Sequence, residues 1–318
     1  MYAFLLTEFG QNYLKREARG SVQQHVFLSQ IHQFEIPVFS ESFQTKIQHV
    51  IEKSDNAEES ADEQHTKAET LLLDALNMKG FSPTKRNINI KSFKDSFTAT
   101  GRLDAEYYQP KYEEIEHAII SFSGDCRLGN LIEYINTGEY SEQYLPKGKG
   151  LKFYIRSTNI QNGLIEEDEN YFVNPDGFTK FVQQGDIVTA RVGTLGVFGA
   201  VNNQTSGSIF SDNVLCFRLP GDFNPNVYTL WFNSKFNWEL IDRLARGSVQ
   251  QRLNQETLRD LLVPIIPTAA QNQIAAMVQE SFVLKAESER LLEVAKRAVE
   301  IAIEQDENAG MAYIEENS

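Results

Sequence analysis

The sequence predicts an α+β chain: one β-rich α+β domain, two long antiparallel helices of the coiled-coil kind, and an N-terminal partial domain. Three observations predict it. The segment ARGSVQQ occurs twice, at 18–24 and at 245–251. After each copy, apolar and small residues recur at alternating steps of four and three, the seam of paired helices. Between the copies lie short apolar runs punctuated by glycine, which read as strands and turns.

Laying residue 18 on residue 245 keeps the two copies in register without a gap. Pro37 falls on Pro264, Gln44 on Gln271, Ile47 on Ile274 and Ser54 on Ser281. Apolar positions also coincide, such as Val26 with Leu253, Ile31 with Leu258 and Ile36 with Val263. This is duplication at long spacing, not a short-period solenoid.

Each copy opens on a helical stretch, 2–19 or 227–246, ended by Gly20 or Gly247 as helices commonly are. An apolar-Pro-apolar strip follows at 34–39 and 261–266. Then comes the long helix. Its seam in the first copy is Phe43, Ile47, Val50, Ser54, Ala57, Ala61, Ala68 and Ala75. In the second it is Ala270, Ile274, Met277, Ser281, Leu284, Ser288, Leu291, Ala295, Ala298 and Ala302. Such small, partly polar residues suit close helix–helix packing, and about 34 residues give roughly 50 Å per helix. Between the copies, 107–122 reads as a helix, and 153–155, 185–191, 197–201 and 214–219 read as strands.

The net charge of −14 argues against a nucleic-acid binder if it is spread evenly,. It is not. Acids cluster at Glu52, Asp55, Glu58, Glu59, Asp62 and Glu63 and again from Glu300 to Glu316, whereas 147–252 is near neutral. No apolar run reaches the roughly 18 residues that span a bilayer. The opening Met1-Tyr2-Ala3-Phe4-Leu5-Leu6 soon meets Glu8, without a basic flank or a small-residue cleavage site, so no signal peptide is expected,. Cys126 and Cys216 form no CxxC pair, which fits a reducing cytoplasm and gives no Cys-based zinc site. The five histidines, His25, His32, His49, His65 and His117, form no metal-ligand spacing,. GxGxxG, Walker A and GxSxG are absent. The string nearest to an adenine methyltransferase motif, Asn224-Pro225-Asn226-Val227, lacks its second proline and its aromatic. The expectation is a protein with no catalytic residues, no metal and no cofactor.

Three motifs carry a resemblance. Gly101-Arg102-Leu103-Asp104-Ala105-Glu106-Tyr107-Tyr108 opens the central domain. Gly185-Asp186-Ile187-Val188-Thr189-Ala190-Arg191-Val192-Gly193-Thr194-Leu195-Gly196 lies at its centre. Gly247-Ser248, Leu253, the strip from Pro264 to Pro267 and Gln271 to Ile274 close it. In this order the chain resembles the specificity (S) subunit of type I restriction-modification enzymes. The resemblance implies target recognition domains that each read half of a split DNA site, alternating with paired helices that space the halves and help to dock methyltransferase subunits. It implies residues 1–40 as the tail end of a first recognition domain and 41–80 as the first spacer helix. A linker at 81–93 and one complete recognition domain at 94–267 follow, then the second spacer helix at 268–305 and an acidic tail at 306–318. A full S subunit has two complete recognition domains, so the resemblance implies a truncated form, or one half of a split arrangement. A second copy, or a complementing S fragment, would supply the missing part. Double-stranded DNA, adenine methyltransferase (M) subunits and restriction (R) subunits are the implied partners, and a membrane is not.

Phosphate contacts give affinity and base-edge contacts give sequence choice. Lys147, Lys149 and Lys152 flank glycines in an expected flexible basic loop and are the phosphate clamps, unless the loop is simply solvated. Tyr154, Arg156, Ser157 and Asn159 combine arginine, hydroxyls and an amide near a turn, and Asn159 suits adenine. Arg191 and Thr194 lie on a glycine turn after a strand, and the planar fork of Arg191 matches guanine O6 and N7. Arg246, Ser248, Gln250 and Gln251 follow a helix end, either as a phosphate-holding turn or as a plain helix stop. Asp104 and Tyr108 read as structural. The alternative for the whole chain is a coiled-coil scaffold whose β-rich head binds protein rather than DNA.

Overall fold

The computed structural model describes residues 1–18, 25–32, 34–193, 195–245 and 252–318. In chain order its helices are α1 (Tyr2–Leu6), α2 (Glu8–Glu17), α3 (Leu28–Ile31), α4 (Glu41–Ala75), α5 (Pro110–Ser123), α6 (Leu128–Leu131), α7 (Pro225–Phe232), α8 (Lys235–Ala245), α9 (Gln255–Arg259), α10 (Thr268–Glu304) and α11 (Glu307–Asn317). Its strands are β1 (Tyr134–Thr137), β2 (Lys152–Ile155), β3 (Phe172–Val173), β4 (Ile187–Ala190), β5 (Phe198–Ala200), β6 (Ile209–Phe210) and β7 (Val214–Arg218). The chain divides into two compact units, residues 1–66 with 279–318 and residues 67–278.

The duplication is structural as well as textual. The starts of α2 and α8 (8 and 235), α3 and α9 (28 and 255), and α4 and α10 (41 and 268) all differ by the same offset as the repeat. Side-chain bonds repeat too. The Gln44 amide donates to the Phe39 carbonyl at 2.7 Å, and Gln271 donates to the matching Ile266 carbonyl at 2.9 Å. The expected single helices at 2–19 and 227–246 are each broken. Thr7 caps α2, its hydroxyl accepting from Gly10 N–H at 3.2 Å, and Ser234 accepts from the matching Asn237 N–H at 3.3 Å. A hydroxyl that satisfies an orphan N–H starts a new helix. Gly20 and Gly247 lie outside the described residues.

In the first unit, α4 and α10 pack antiparallel. Phe43, Ile47 and Val50 share a core with Leu291, Val294, Ala295, Ala298, Val299 and Ala302. Ser54 donates to the Ser288 carbonyl at 2.9 Å, so the polar seam positions are hydrogen-bonded where they meet,. The acidic end of the chain forms α11, capped by Asp306, whose side chain accepts from Ala309 N–H at 2.9 Å. Its Ile314 is buried in the same core.

The second unit holds two sheets. One is four-stranded and antiparallel in the order β1-β7-β4-β5. The other has the order β3-β2-β6, with β2 antiparallel to β3 and parallel to β6. Phe153, Ile155, Val188, Phe210, Val214 and Cys216 lie in one buried core between them. The edge strand β5 is closed by Asn233, whose amide accepts from Phe198 N–H at 2.8 Å and donates to Phe198 C=O at 2.9 Å. That use of Asn233 between α7 and α8 explains the break in the second copy: the edge needs a partner. The four strands read from sequence are present. The short β1, β3 and β6 were not anticipated.

Candidate functional site

The central motif begins inside the sheet. Asp186 is wholly buried at the start of β4. Its carboxylate accepts from Arg218 Nε at 2.8 Å, from Gln183 N–H at 2.8 Å, from Cys216 Sγ at 3.5 Å and from the Tyr134 hydroxyl. Burial first, then the Asp186 charge, pushes the Tyr134 hydroxyl and the Cys216 thiol well above their ordinary ranges, so both stay protonated as donors,. This network ties β1, β4 and β7 together at the end of β4 opposite Arg191.

Several segments leave the same end of the four-stranded sheet. Gly138 N–H donates to Val214 C=O at 3.1 Å, and Val214 pairs with Ala190. Gly138, Val214 and Ala190 thus form one row across β1, β7 and β4, about 10 Å long at two strand spacings. Just beyond it, Arg191 N–H donates to Asn213 C=O at 2.8 Å, and Arg191 C=O accepts from Leu253 N–H at 3.0 Å. Arg191 Nη1 lies 3.5 Å from the Asp212 carbonyl. Gln255 Nε2 donates to Thr137 Oγ1 at 3.1 Å. The turn Ser157–Asn159 packs beside β4. Gly196 adopts φ +79° and sits against α8, where a Cβ would lie 3.2 Å from Trp238. The structure therefore brings Arg191, the turn after β2, and the residues that follow 246–251 to one place. Thr194, Arg246, Ser248, Gln250 and Gln251 lie outside the described residues, as does the first-copy segment 19–24.

The lysine loop differs from expectation. Lys147 pairs with Glu167 at 2.5 Å, and that carboxylate raises its ammonium. Its backbone N–H donates to Glu169 C=O. Lys149 is exposed and has no ion pair among the described residues. Lys152 begins β2, at the opposite end of that strand from Arg156. The acidic run at 166–169 thus partly neutralises the basic loop and holds it down. Such an exposed, solvent-screened pair is weak, so a phosphate can replace Glu167 at little cost.

Tyr154 and Asn159 are corrected. Tyr154 is 1% exposed, its hydroxyl donating to Glu139 C=O at 2.6 Å. Asn159 is 5% exposed, its Oδ1 accepting from Arg156 N–H at 2.9 Å. Both side chains are buried, with the Tyr154 hydroxyl and Asn159 Oδ1 engaged inside the fold. Arg156 is only partly exposed. Its guanidinium carbon lies 3.0 Å from the Tyr171 ring centre, Nη2 is 3.2 Å from Asp168, and Nε is buried without a partner. Ser157 stays partly exposed. The residues that sequence reasoning missed are the framing positions Thr137, Asp212, Asn213 and Gln255. The Asp-Asn dipeptide before a strand was a turn signal for two of them.

The opening motif is structural. Arg102 forks onto Asp104 at 2.8 and 2.5 Å. The Tyr107 ring lies between Arg102 and Arg243, at 4.4 and 4.5 Å. Tyr108 donates to Arg102 C=O at 3.0 Å. Among the described residues, no three His, Cys, Asp or Glu side chains group as metal ligands, and no helix is long and apolar enough to cross a membrane.

The charge is partitioned. The first unit has 9 basic against 20 acidic residues, net −11, and the second 21 against 24, net −3. The unit that holds the converging loops carries little of the total of −14. The six acids of the α4 cluster are all exposed.

The family model of the type I restriction modification DNA specificity domain matches residues 124–293, more than half of the chain. The chain belongs to that family. The specificity subunit of the Escherichia coli type I restriction enzyme EcoEI is 24% identical to it over 169 residues, which are 49% of this chain and 28% of that protein. The chain therefore matches well under two thirds of that curated relative. Among solved structures it is similar to the HsdS subunit from Thermoanaerobacter tengcongensis, at 14% identity over 96% of this chain and 69% of that one, with a TM-score of 0.40. It is also similar to the S subunit of the type I restriction-modification system from M. genitalium, at 14% identity over 93% of this chain and 69% of that one, with a TM-score of 0.46.

Proposed function

We propose that this chain is the non-catalytic, sequence-specific DNA-recognition subunit of a type I restriction-modification complex, reading one half-site from the end of the four-stranded sheet. The observation that carries the reading is the convergence there of Arg191, the 157–159 turn and the chain leaving 246–251, in a protein of a DNA specificity family. Residues 94–267 act as the recognition domain, and 41–80 and 268–305 as spacers that dock methyltransferase subunits, with restriction subunits joining the complex. The protein works in the cytoplasm, where Cys126 and Cys216 remain thiols.

The duplication supports a further partner. In the second copy Phe236, Leu258 and Val263 are at most 1% exposed, whereas their counterparts Phe9, Ile31 and Ile36 are 41%, 49% and 38% exposed. Beside them lies a cleft of about 650 Å³ lined in part by Phe4, Ile36 and Val38. A second copy or a complementing S fragment would cover this apolar face. The same face favours the second reading, a scaffold that binds protein alone.

Salt-dependent DNA binding by the full chain separates the two. Binding should prefer one duplex sequence and weaken steeply as salt rises. Arg191→Ala should lower affinity for that sequence by about tenfold or more and relax the choice at one base pair. The backbone bonds of Arg191 survive the change, so the thermal midpoint should hold. Absence of any sequence preference in the wild type would sink the recognition reading and leave the scaffold.

A further inference from the structure

Asn213 and Tyr140 lie at the same sheet end as Arg191, yet neither carries a motif. Asn213 is exposed and its backbone is fixed on both sides. Its N–H donates to Ser211 Oγ at 3.1 Å, and its carbonyl accepts from Arg191 N–H at 2.8 Å. Its amide has only a 3.4 Å contact with Asp212 Oδ1. Tyr140 is 67% exposed, and the residue before it is held hard. Glu139 N–H donates to Phe210 C=O at 2.9 Å. The Glu139 carboxylate accepts from Thr179 N–H, Thr179 Oγ1 and Lys180 N–H, each at 2.9 Å. Gly138 admits no side chain, since a Cβ would lie 2.1 Å from Phe210 C=O.

An exposed amide and an exposed aromatic on an immobile frame lose little entropy on contact. Their setting also selects what they touch. Asp212 places a carboxylate beside Asn213 that repels phosphate, while base edges offer donors. The three strand ends span about 10 Å, against a major groove about 12 Å wide.

We propose that Asn213 and Tyr140 are further specificity-determining residues of this chain, Asn213 pairing its amide with an adenine edge and Tyr140 packing on a neighbouring thymine methyl. This rests on the DNA-recognition reading above. The test is selection of duplexes from a random library by the full-length chain and by its Asn213→Ala, Asn213→Asp and Tyr140→Ala variants, with salt dependence and urea midpoints measured for each. Asn213→Ala should lower discrimination at one adenine position by about tenfold or more, because it removes both hydrogen bonds to that base. Asn213→Asp should move that position toward cytosine, whose amine donates to a carboxylate. Tyr140→Ala should relax a thymine nearby. Salt slopes and urea midpoints of the two alanine variants should stay put, since they lose no cation and no buried group. If the wild type selects a site and the variants select the same one equally well, the inference fails and the recognition reading stands. A uniform loss at all sequences with a lowered urea midpoint also overturns it, as a purely structural role. If the wild type selects nothing, the recognition reading itself fails.

Discussion

At the scale of single residues, burial decides which polar groups serve the fold and which remain for a ligand. Glu300 is 8% exposed, and its carboxylate accepts from Glu8 N–H at the start of α2 at 3.0 Å and pairs with Arg297 at 3.0 Å. Burial acts to raise this carboxyl, but the Glu8 N–H and the Arg297 guanidinium outweigh it and hold it below the ordinary glutamate value of 4.5. A lowered folded-state value means stability that is present above the unfolded value and lost as pH falls through the folded one. Glu300→Gln should therefore cost about 1–2 kcal/mol at pH 7, and the gap to wild type should narrow as the pH falls below 4.5 and through the folded-state value,. Urea titrations of both proteins from pH 7 to pH 3 check this, and a gap that stays constant with pH contradicts it. The same accounting separates the proposed reading residues. Arg191 and Asn213 keep edges for a ligand, whereas Tyr154 and Asn159 spend theirs internally. Residue type and spacing pointed to Arg191 through its strand-then-glycine motif. They did not expose Asn159 as a backbone anchor, although its partner, the Arg156 N–H, lies only three residues away.

At the scale of elements, the long helices were legible because each repeats its seam many times. Phe43 to Ala68 and Ser281 to Ala302 bury the predicted positions almost throughout. The seam shifts by one position at the ends, where Leu76 and Val278 are buried and Ala75 and Met277 only partly so. The acidic end carried no such signal. Its apolar residues, Met311, Tyr313 and Ile314, span barely one turn and read as tail, yet α11 packs closely. Gly310 shows how closely. A Cβ there would lie 2.8 Å from Ala298 C=O and 2.9 Å from the Phe43 ring. Backbone cannot yield as a flexible side chain can, so Gly310→Ala should destabilise the first unit by about 1–3 kcal/mol, in spite of alanine's better helix propensity. Loss of stability in denaturant melts is the expected result. A gain would mean that α11 does not rest on α10 at this point.

At the scale of the whole molecule, one duplicated sequence meets two different surroundings, which allows the same change to be made twice. Leu258 is wholly buried in the second unit. Nearby, Leu261 C=O accepts from Leu128 N–H at 2.8 Å, and Val263 N–H donates to Cys126 C=O at 2.9 Å. The chain from Cys126 to Leu128 thus covers the second copy's strip. The strip at 34–36 has no such backbone bonds to another segment among the described residues, and Ile31 is 49% exposed. Placing a carboxylate at both positions should split the outcomes. Leu258→Asp buries an unpaired charge and removes core volume, at a cost of at least about 3 kcal/mol. Ile31→Asp replaces exposed surface and should cost no more than about 0.5 kcal/mol. Urea melts of the two full-length variants measure this directly. If Ile31→Asp proves as costly as Leu258→Asp, the first copy's face is covered within the chain itself and the case for a complementing partner falls. If it is cheap, the same variant becomes the reagent for the partner: it should abolish capture of a complementing S fragment while leaving DNA binding by the second unit intact, because that unit is built without Ile31.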